Sequence, residues 1–288
     1  MIKLSQAVRY FCAIGIIAML PSAVQAQIVQ LSLPSRLVVT AQYQQGQLDK
    51  PVILLLHGFL QTRDSPPMSL LGQSLADAGY TVLLPTLSLG YSLRNQSLAC
   101  EAMHSHRLQD DVAELALWVD WLNKNAKRPL ILIGFSSGSA VVMNYIASQP
   151  AKNIRGAILV SPAPVKKDAS EYKGALAQRT PSTQQAVHRY RLAFCQYSYF
   201  STETGYLSYA AMDERLVLAR LRHAKVPVQI IIGGADRVFT PDWGKQLTLA
   251  SPSIKVVPEA DHFLEDGAEF ALLEHVQSTL TQWQGEYR

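Results

Sequence analysis

Five short runs of almost unbroken apolar residues constrain this chain more than any other feature: "PVILLL" (51–56), "YTVLLP" (80–85), "PLILIG" (129–134), "IRGAILVSP" (154–162) and "VPVQIIIGG" (226–234). A strand with one wet face alternates apolar and polar side chains; these do not, so both of their faces must be covered. The stretches between them carry the covers. Residues 67–78 read as a helix ending at Gly79, and 106–125 show helical spacing through Leu108, Val112, Leu115, Trp118, Val119 and Leu122. Further helices are predicted at 137–149, stopped by Pro150, at 241–250 and at 265–283, with a last strand at 254–258. Buried strands alternating with helices predict an α/β fold with a mostly parallel central sheet and helices on both faces. Residues 28–44 alternate around Pro34 and Ser35 and read as a β-hairpin ahead of it.

One segment breaks the rhythm. Residues 163–225 have no buried-strand signal but hold Tyr190, Phe194, Tyr197, Tyr199, Phe200, Tyr206 and Tyr209 among helix-compatible stretches. They are expected to form a small, mainly helical cap insertion over the carboxyl ends of the strands, where open sheets bind ligands. The plainer reading is a pair of peripheral helices with inward-packed aromatics. The two overlap, because a cap must also pack on something.

The first 26 residues read as a separate segment. Lys3 and Arg9 precede the apolar stretch "YFCAIGIIAML", and "PSAVQA" supplies small residues at Val24 and Ala26. This is the pattern of a signal peptide cut after Ala26, leaving residues 27–288 as the working domain in a periplasmic or secreted compartment. An uncleaved anchor would need about 20 apolar residues, and this run stops at Pro21. Cys12 leaves with the leader; Cys100 and Cys195 remain, and an even count in an exported chain invites a disulfide, though two buried thiols that never meet fit the sequence too. The net charge of +4 is dispersed, with no basic stripe of the kind that binds nucleic acid.

Candidate chemistry centres on "ILIGFSSGSA" (131–140). Gly134 and Gly138 flank Ser136 two residues away on each side, and a buried strand precedes the motif and a helix follows it. A strand that turns abruptly into a helix strains its central residue and crowds the positions two before and two after, which glycine tolerates. Ser137 and Ser139 lack that symmetry. A serine hydroxyl needs a base and an orienting acid. His262 follows the last strand, and Asp236 follows the strand before it, so both open at the sheet edge that carries Ser136. The order is Ser, Asp, His. Asp261 adjoins His262, but a sequence neighbour rarely reaches the far ring nitrogen.

With "LLLHGF" (54–59), "GFSSG" (134–138), "GGADRVFTP" (233–241) and "ADHF" (260–263), the chain resembles the α/β-hydrolase superfamily over nearly all of residues 28–285, the insertion matching least. The resemblance implies Ser136 as nucleophile, His262 as general base and acid, and Asp236 as the orienting carboxylate. It also implies an oxyanion hole from the backbone N–H groups of Phe59 and Ser137. Some members carry the acid one strand earlier, but "VSPAP" offers no carboxylate before Asp168. The chain has His-Gly-Phe-Leu in place of the His-Gly-Gly-Gly loop of many lipases and esterases, which weighs against that subgroup. His57 is expected to fix the oxyanion loop, not to titrate.

The expectation is an exported serine hydrolase cleaving a small-molecule carboxylic ester through an acyl-enzyme on Ser136, without a cofactor. A thioesterase, a peptidase or amidase with the same triad, and a non-catalytic binding protein on the same fold are the alternatives. His104 and His106 form a pair that could suggest a metal, but no third ligand stands at convincing spacing, so they read as polar surface and no metal is expected. Asp110 and Asp111 suit the first turn of a helix. Lys166, Lys167, Lys173, Arg179, Arg189 and Arg191 face only Asp168 and Glu171 within 163–192. Such a rim could attract an anionic substrate or a membrane surface, although a solvated face explains it as well. Nothing in the sequence sets the oligomeric state.

Overall fold

A computed structural model of the chain describes residues 25–148, 150–178, 186–238, 241–251 and 253–286. Residues 1–24 of the expected leader and Arg179 therefore lie outside the described residues. The chain begins with an antiparallel pair, β1 (Gln27–Ser32) and β2 (Val38–Gln44). Then β3 (Val52–Leu56), α1 (Met68–Asp77) and β4 (Thr81–Thr86) enter the core. A two-residue strand, β5 (Met103–His104), precedes α2 (Leu108–Asn125), β6 (Leu130–Phe135), α3 (Ser137–Ala147) and β7 (Ile154–Val160). The insertion holds α4 (Ala169–Gln178), β8 (Val187–Leu192), β9 (Cys195–Thr202), α5 (Glu203–Ala210) and α6 (Glu214–Arg222). The chain closes with β10 (Val228–Gly233), α7 (Pro241–Ala250), β11 (Ile254–Val257) and α8 (Ala268–Glu286).

Eight strands form one sheet in the order β1-β2-β4-β3-β6-β7-β10-β11, parallel from β4 to β11 and antiparallel at the β1-β2-β4 end. The apolar runs are the parallel strands, and their successive side chains divide between two cores. Val52, Leu54 and Leu56 of β3 join Leu115, Trp118, Val142 and Ile146 on the α2–α3 face; Ile53 and Leu55 join Leu71, Leu75, Val276 and Leu280 on the α1–α8 face. This is why the central strands β3, β4 and β6 do not alternate apolar and polar: their side chains, up or down, meet a helix. In α1, Met68, Leu71 and Leu75 recur at helical spacing and are buried while Leu70 is not.

The segment 163–225 departs from the mainly helical expectation. Beside its three helices it carries a hairpin, β8–β9, and β9 pairs in parallel with β5 to make a second, three-stranded sheet. In β8 only Tyr190 and Leu192 are buried, a half-wet alternation that differs from the buried-strand pattern of the main sheet. Cys100 and Cys195 are joined in a disulfide beside this pairing, and Ser198 Oγ donates to Glu101 at 2.8 Å, so the hairpin is fastened to the loop after β4. Most of the insertion's aromatics pack inward, with Tyr190 stacked on Tyr206 at 3.9 Å between ring centres, but Phe194 and Tyr197 remain exposed.

Candidate active site

Ser136 sits at the β6–α3 junction with φ 51° and ψ −113°, a strained conformation for a residue with a side chain. The flanking glycines are sterically required. A Cβ at Gly134 would lie 2.5 Å from the Gly138 carbonyl oxygen, and one at Gly138 would lie 2.5 Å from that of His57. The third serine of the motif is structural: Ser139 Oγ donates to Gly134 O at 2.6 Å and to Val160 O at 3.0 Å, tying the β6–α3 junction to β7.

Three separated segments meet here. His262 Nε2 is 2.9 Å from Ser136 Oγ, and His262 Nδ1 is 2.8 Å from Asp236 Oδ2. The carboxylate can only accept, so Nδ1 carries the ring proton and Nε2 is free to accept from the serine hydroxyl. The side chains of His262 and Asp236 are almost fully buried, at 3% and 0% exposure. The second Asp236 oxygen accepts from Val238 N–H at 2.8 Å, which fixes the carboxylate's orientation. Asp261 is occupied elsewhere: its Oδ1 accepts from the N–H groups of Phe263 and Leu264 at 2.9 and 3.2 Å, closing its own turn. The imidazole is walled by Phe135, Phe194 and Phe263, with ring centres 5.7, 5.9 and 5.4 Å away.

A cavity of about 270 Å³ opens against Ser136, Ser137, His262 and Phe59. Its opposite wall comes from the insertion, chiefly Val165, Ala193, Phe194 and Tyr209, with Lys166 and Gln196 adding polar groups. Phe59 and Ser137 thus share the cavity with Ser136. Ser137 is the first residue of α3, where the helix gives its N–H no internal partner. The preceding loop is fixed by His57, which is buried: its Nδ1 lies 2.9 Å from Gly58 O, and its Nε2 accepts from Leu87 N–H at 3.1 Å. Burial, with help from the Arg94 charge, pushes the His57 pKa down to about 3, so the ring stays neutral.

Beside this loop lies a group of buried ionisable side chains that the sequence reading missed or placed at the surface. His104 and His106 are buried, not surface, with His104 stacked on Tyr199 at 4.3 Å and His106 edge-on to Tyr209 at 5.4 Å. Asp110 does cap the start of α2, accepting from Arg107 N–H at 2.9 Å. Asp111 instead faces inward and accepts from the Tyr209 hydroxyl; burial raises its pKa well above the ordinary value. Glu114 accepts from Ser88 N–H with both oxygens, at 3.1 and 3.0 Å, and burial raises its pKa to about 7. The basic rim is partly neutralised, since Arg191 pairs with Asp168 at 2.8 Å and Glu171 at 2.9 Å. Among the described residues, no three His, Cys, Asp or Glu side chains converge as a metal-binding group, and no helix is long and apolar enough to cross a membrane.

Residues 53–271 match the family model described as "Alpha/beta hydrolase family". A comparison with curated proteins finds no match. Among solved structures the chain is similar to Est1E from Butyrivibrio proteoclasticus, at 16% identity and TM-score 0.64, covering 89% of this chain and 98% of that one. It is similar to a thioesterase domain from the curacin biosynthetic pathway, at 18% identity and TM-score 0.60, covering 88% and 99%. A third similarity is to the Pyrococcus furiosus esterase Pf2001, at 16% identity and TM-score 0.60, covering 91% and 93%. At such identities these are likenesses of fold.

Proposed function

The chain belongs to the alpha/beta hydrolase family, and we propose that within it this protein is a serine hydrolase that cleaves carboxylic esters of small apolar molecules. The observation that carries the reading is the continuous relay Ser136 Oγ, His262, Asp236, with both hydrogen bonds under 3 Å. In the reaction Ser136 Oγ attacks the ester carbonyl carbon while His262 Nε2 takes its proton. The negative charge gathers on the former carbonyl oxygen, which the N–H groups of Phe59 and Ser137 receive. The C–O bond to the alcohol then breaks as His262 returns the proton to the leaving oxygen, giving an acyl-enzyme on Ser136. Water, deprotonated by His262, attacks the acyl carbon; the acid leaves and Ser136 regains its proton. Asp236 holds the imidazole in the one tautomer that can run both halves. The apolar lining of the cavity favours an apolar acyl or alcohol group.

A fluorophosphonate probe is expected to label the protein, and Ser136→Ala to abolish both label and ester turnover. An undiminished signal in Ser136→Ala ends the assignment. A panel of p-nitrophenyl esters, acyl thioesters and aminoacyl amides tests the preference for oxygen esters, which requires the first group to be turned over fastest. Export is part of the same proposal. A disulfide suits an oxidising compartment, and β1 starts at Gln27, directly after the predicted cut.

A further inference from the structure

Arg94 lies in the loop after β4 and takes no direct part in the relay, yet its guanidinium is buried and four of its five N–H donors have a partner. Nε donates to Leu87 O at 2.8 Å, Nη1 to Gln96 O at 3.0 Å and Leu60 O at 3.4 Å, and Nη2 lies 3.2 Å from His57 Nε2. Burying an arginine is costly unless its donors are satisfied. Here the acceptors are carbonyls of the loops after β3 and β4 and one imidazole; burial lowers the Arg94 pKa to about 10, and the charges of Glu114 and Asp111 oppose that shift and favour the ionised form.

The imidazole contact fixes a proton. A guanidinium cannot accept and neither can a backbone N–H, so His57 Nε2, facing both Arg94 and Leu87 N–H, must be the bare nitrogen. The ring proton is then on Nδ1, where it is donated to Gly58 O. In a trans peptide the C=O and the following N–H point in opposite directions. Holding Gly58 O against the imidazole therefore turns the Phe59 N–H away from it. Phe59 lines the cavity of Ser136. We propose that Arg94 is a positioning residue for the oxyanion hole: by bonding His57 Nε2 and Leu60 O it holds the Gly58–Phe59 peptide with its N–H aimed at the developing oxyanion. This rests on the serine-hydrolase reading above.

The test uses the full protein. Removing an oxyanion donor costs about 100- to 1,000-fold in turnover. A donor left in place but loosely aimed is expected to cost about 10- to 100-fold, so Arg94→Met should lose that much kcat with KM changed by less than about threefold. Rates are normalised to sites titrated with fluorophosphonate, so that unfolded enzyme does not count. Arg94→Lys, which keeps the charge but not the fork, should fall between Arg94→Met and the parent. Nitrogen-15 spectra of wild-type His57 should show a protonated Nδ1 and a bare Nε2 from pH 8 to pH 5. A folded Arg94→Met with kcat within twofold of wild type overturns the proposal. If that variant does not fold, Arg94→Lys at full kcat, or a His57 carrying its proton on Nε2, overturns it equally. Full activity in Ser136→Ala would instead overturn the underlying reading, and the His57 spectrum is independent of that result.

Discussion

Gly138 is pressed from two sides, since an added Cβ would meet His57 O at 2.5 Å and Leu56 O at 2.8 Å, both backbone atoms that cannot swing aside. Gly138→Ala is expected to cost about 1 to 3 kcal/mol, the range for overpacking a filled site, and to lower ester turnover by shifting the His57–Phe59 loop. Urea unfolding midpoints and probe labelling check this, and a variant equal to wild type in both would refute it. Asp236→Asn should keep the fold but release the imidazole from its tautomer, with a loss in kcat on the order of 10⁴-fold. Asp261→Asn should leave kcat within a few fold, because that carboxylate serves only its own turn. The meeting of Ser136, Asp236 and His262 was legible in the sequence because each follows a strand of the parallel sheet within a few residues, and strand ends in such a sheet share one edge. Arg94 was not, because nothing in "GYSLRNQ" says that its loop folds back under another. Asp111 could have been read: it lies three residues after Leu108 and four before Leu115, on the helix's buried seam.

At the scale of elements, the main sheet was readable from apolar runs and the hairpin of the insertion was not. The signal in β8 is only Tyr190 and Leu192, and β9 depends on pairing with β5, a two-residue strand that no propensity marks. The fold of this part is set by its attachments. Cys100→Ser removes the covalent one, which spans a sequence separation of 95, and should cost about 4.7 kcal/mol in the chain-entropy description. A denaturant midpoint unchanged from that of the oxidised parent would contradict this. The turn between the strands matters for selectivity. Phe194 stands 5.9 Å from the His262 ring and contributes to the cavity wall. Phe194→Ala should raise kcat/KM for bulky p-nitrophenyl esters over acetate by about tenfold or more. An unchanged ratio would remove Phe194 from the specificity wall.

At the scale of the whole molecule, buried ionisable groups set the response to acid. Burial, His104 and Arg94 lower the pKa of His106 to about 3, and His57 is lowered to a similar value. Both rings bind a proton near pH 6.5 only when the chain unfolds, so each costs stability as the pH falls from 6.5 towards 3. Glu114, raised to about 7, and Asp111, raised as well, act in the opposite sense above their ordinary values. Between about pH 4.5 and 6.5 the two pairs oppose one another. His106→Gln isolates one of them: its stability should fall less steeply on acidification than that of wild type, by about 1.4 kcal/mol per pH unit. Parallel urea-derived stability curves for the two proteins from pH 4.5 to 6.5 would refute the assignment.

The disulfide has a further consequence, seen when the polypeptide is severed. Cys100 lies before Ser136 in the chain, and Cys195 lies between Ser136 and Asp236. A protease that nicks the backbone once between residues 136 and 195 therefore parts Ser136 from Asp236 and His262 in sequence but not in substance. The two fragments stay covalently coupled, migrating as one species on a gel until a reductant separates them.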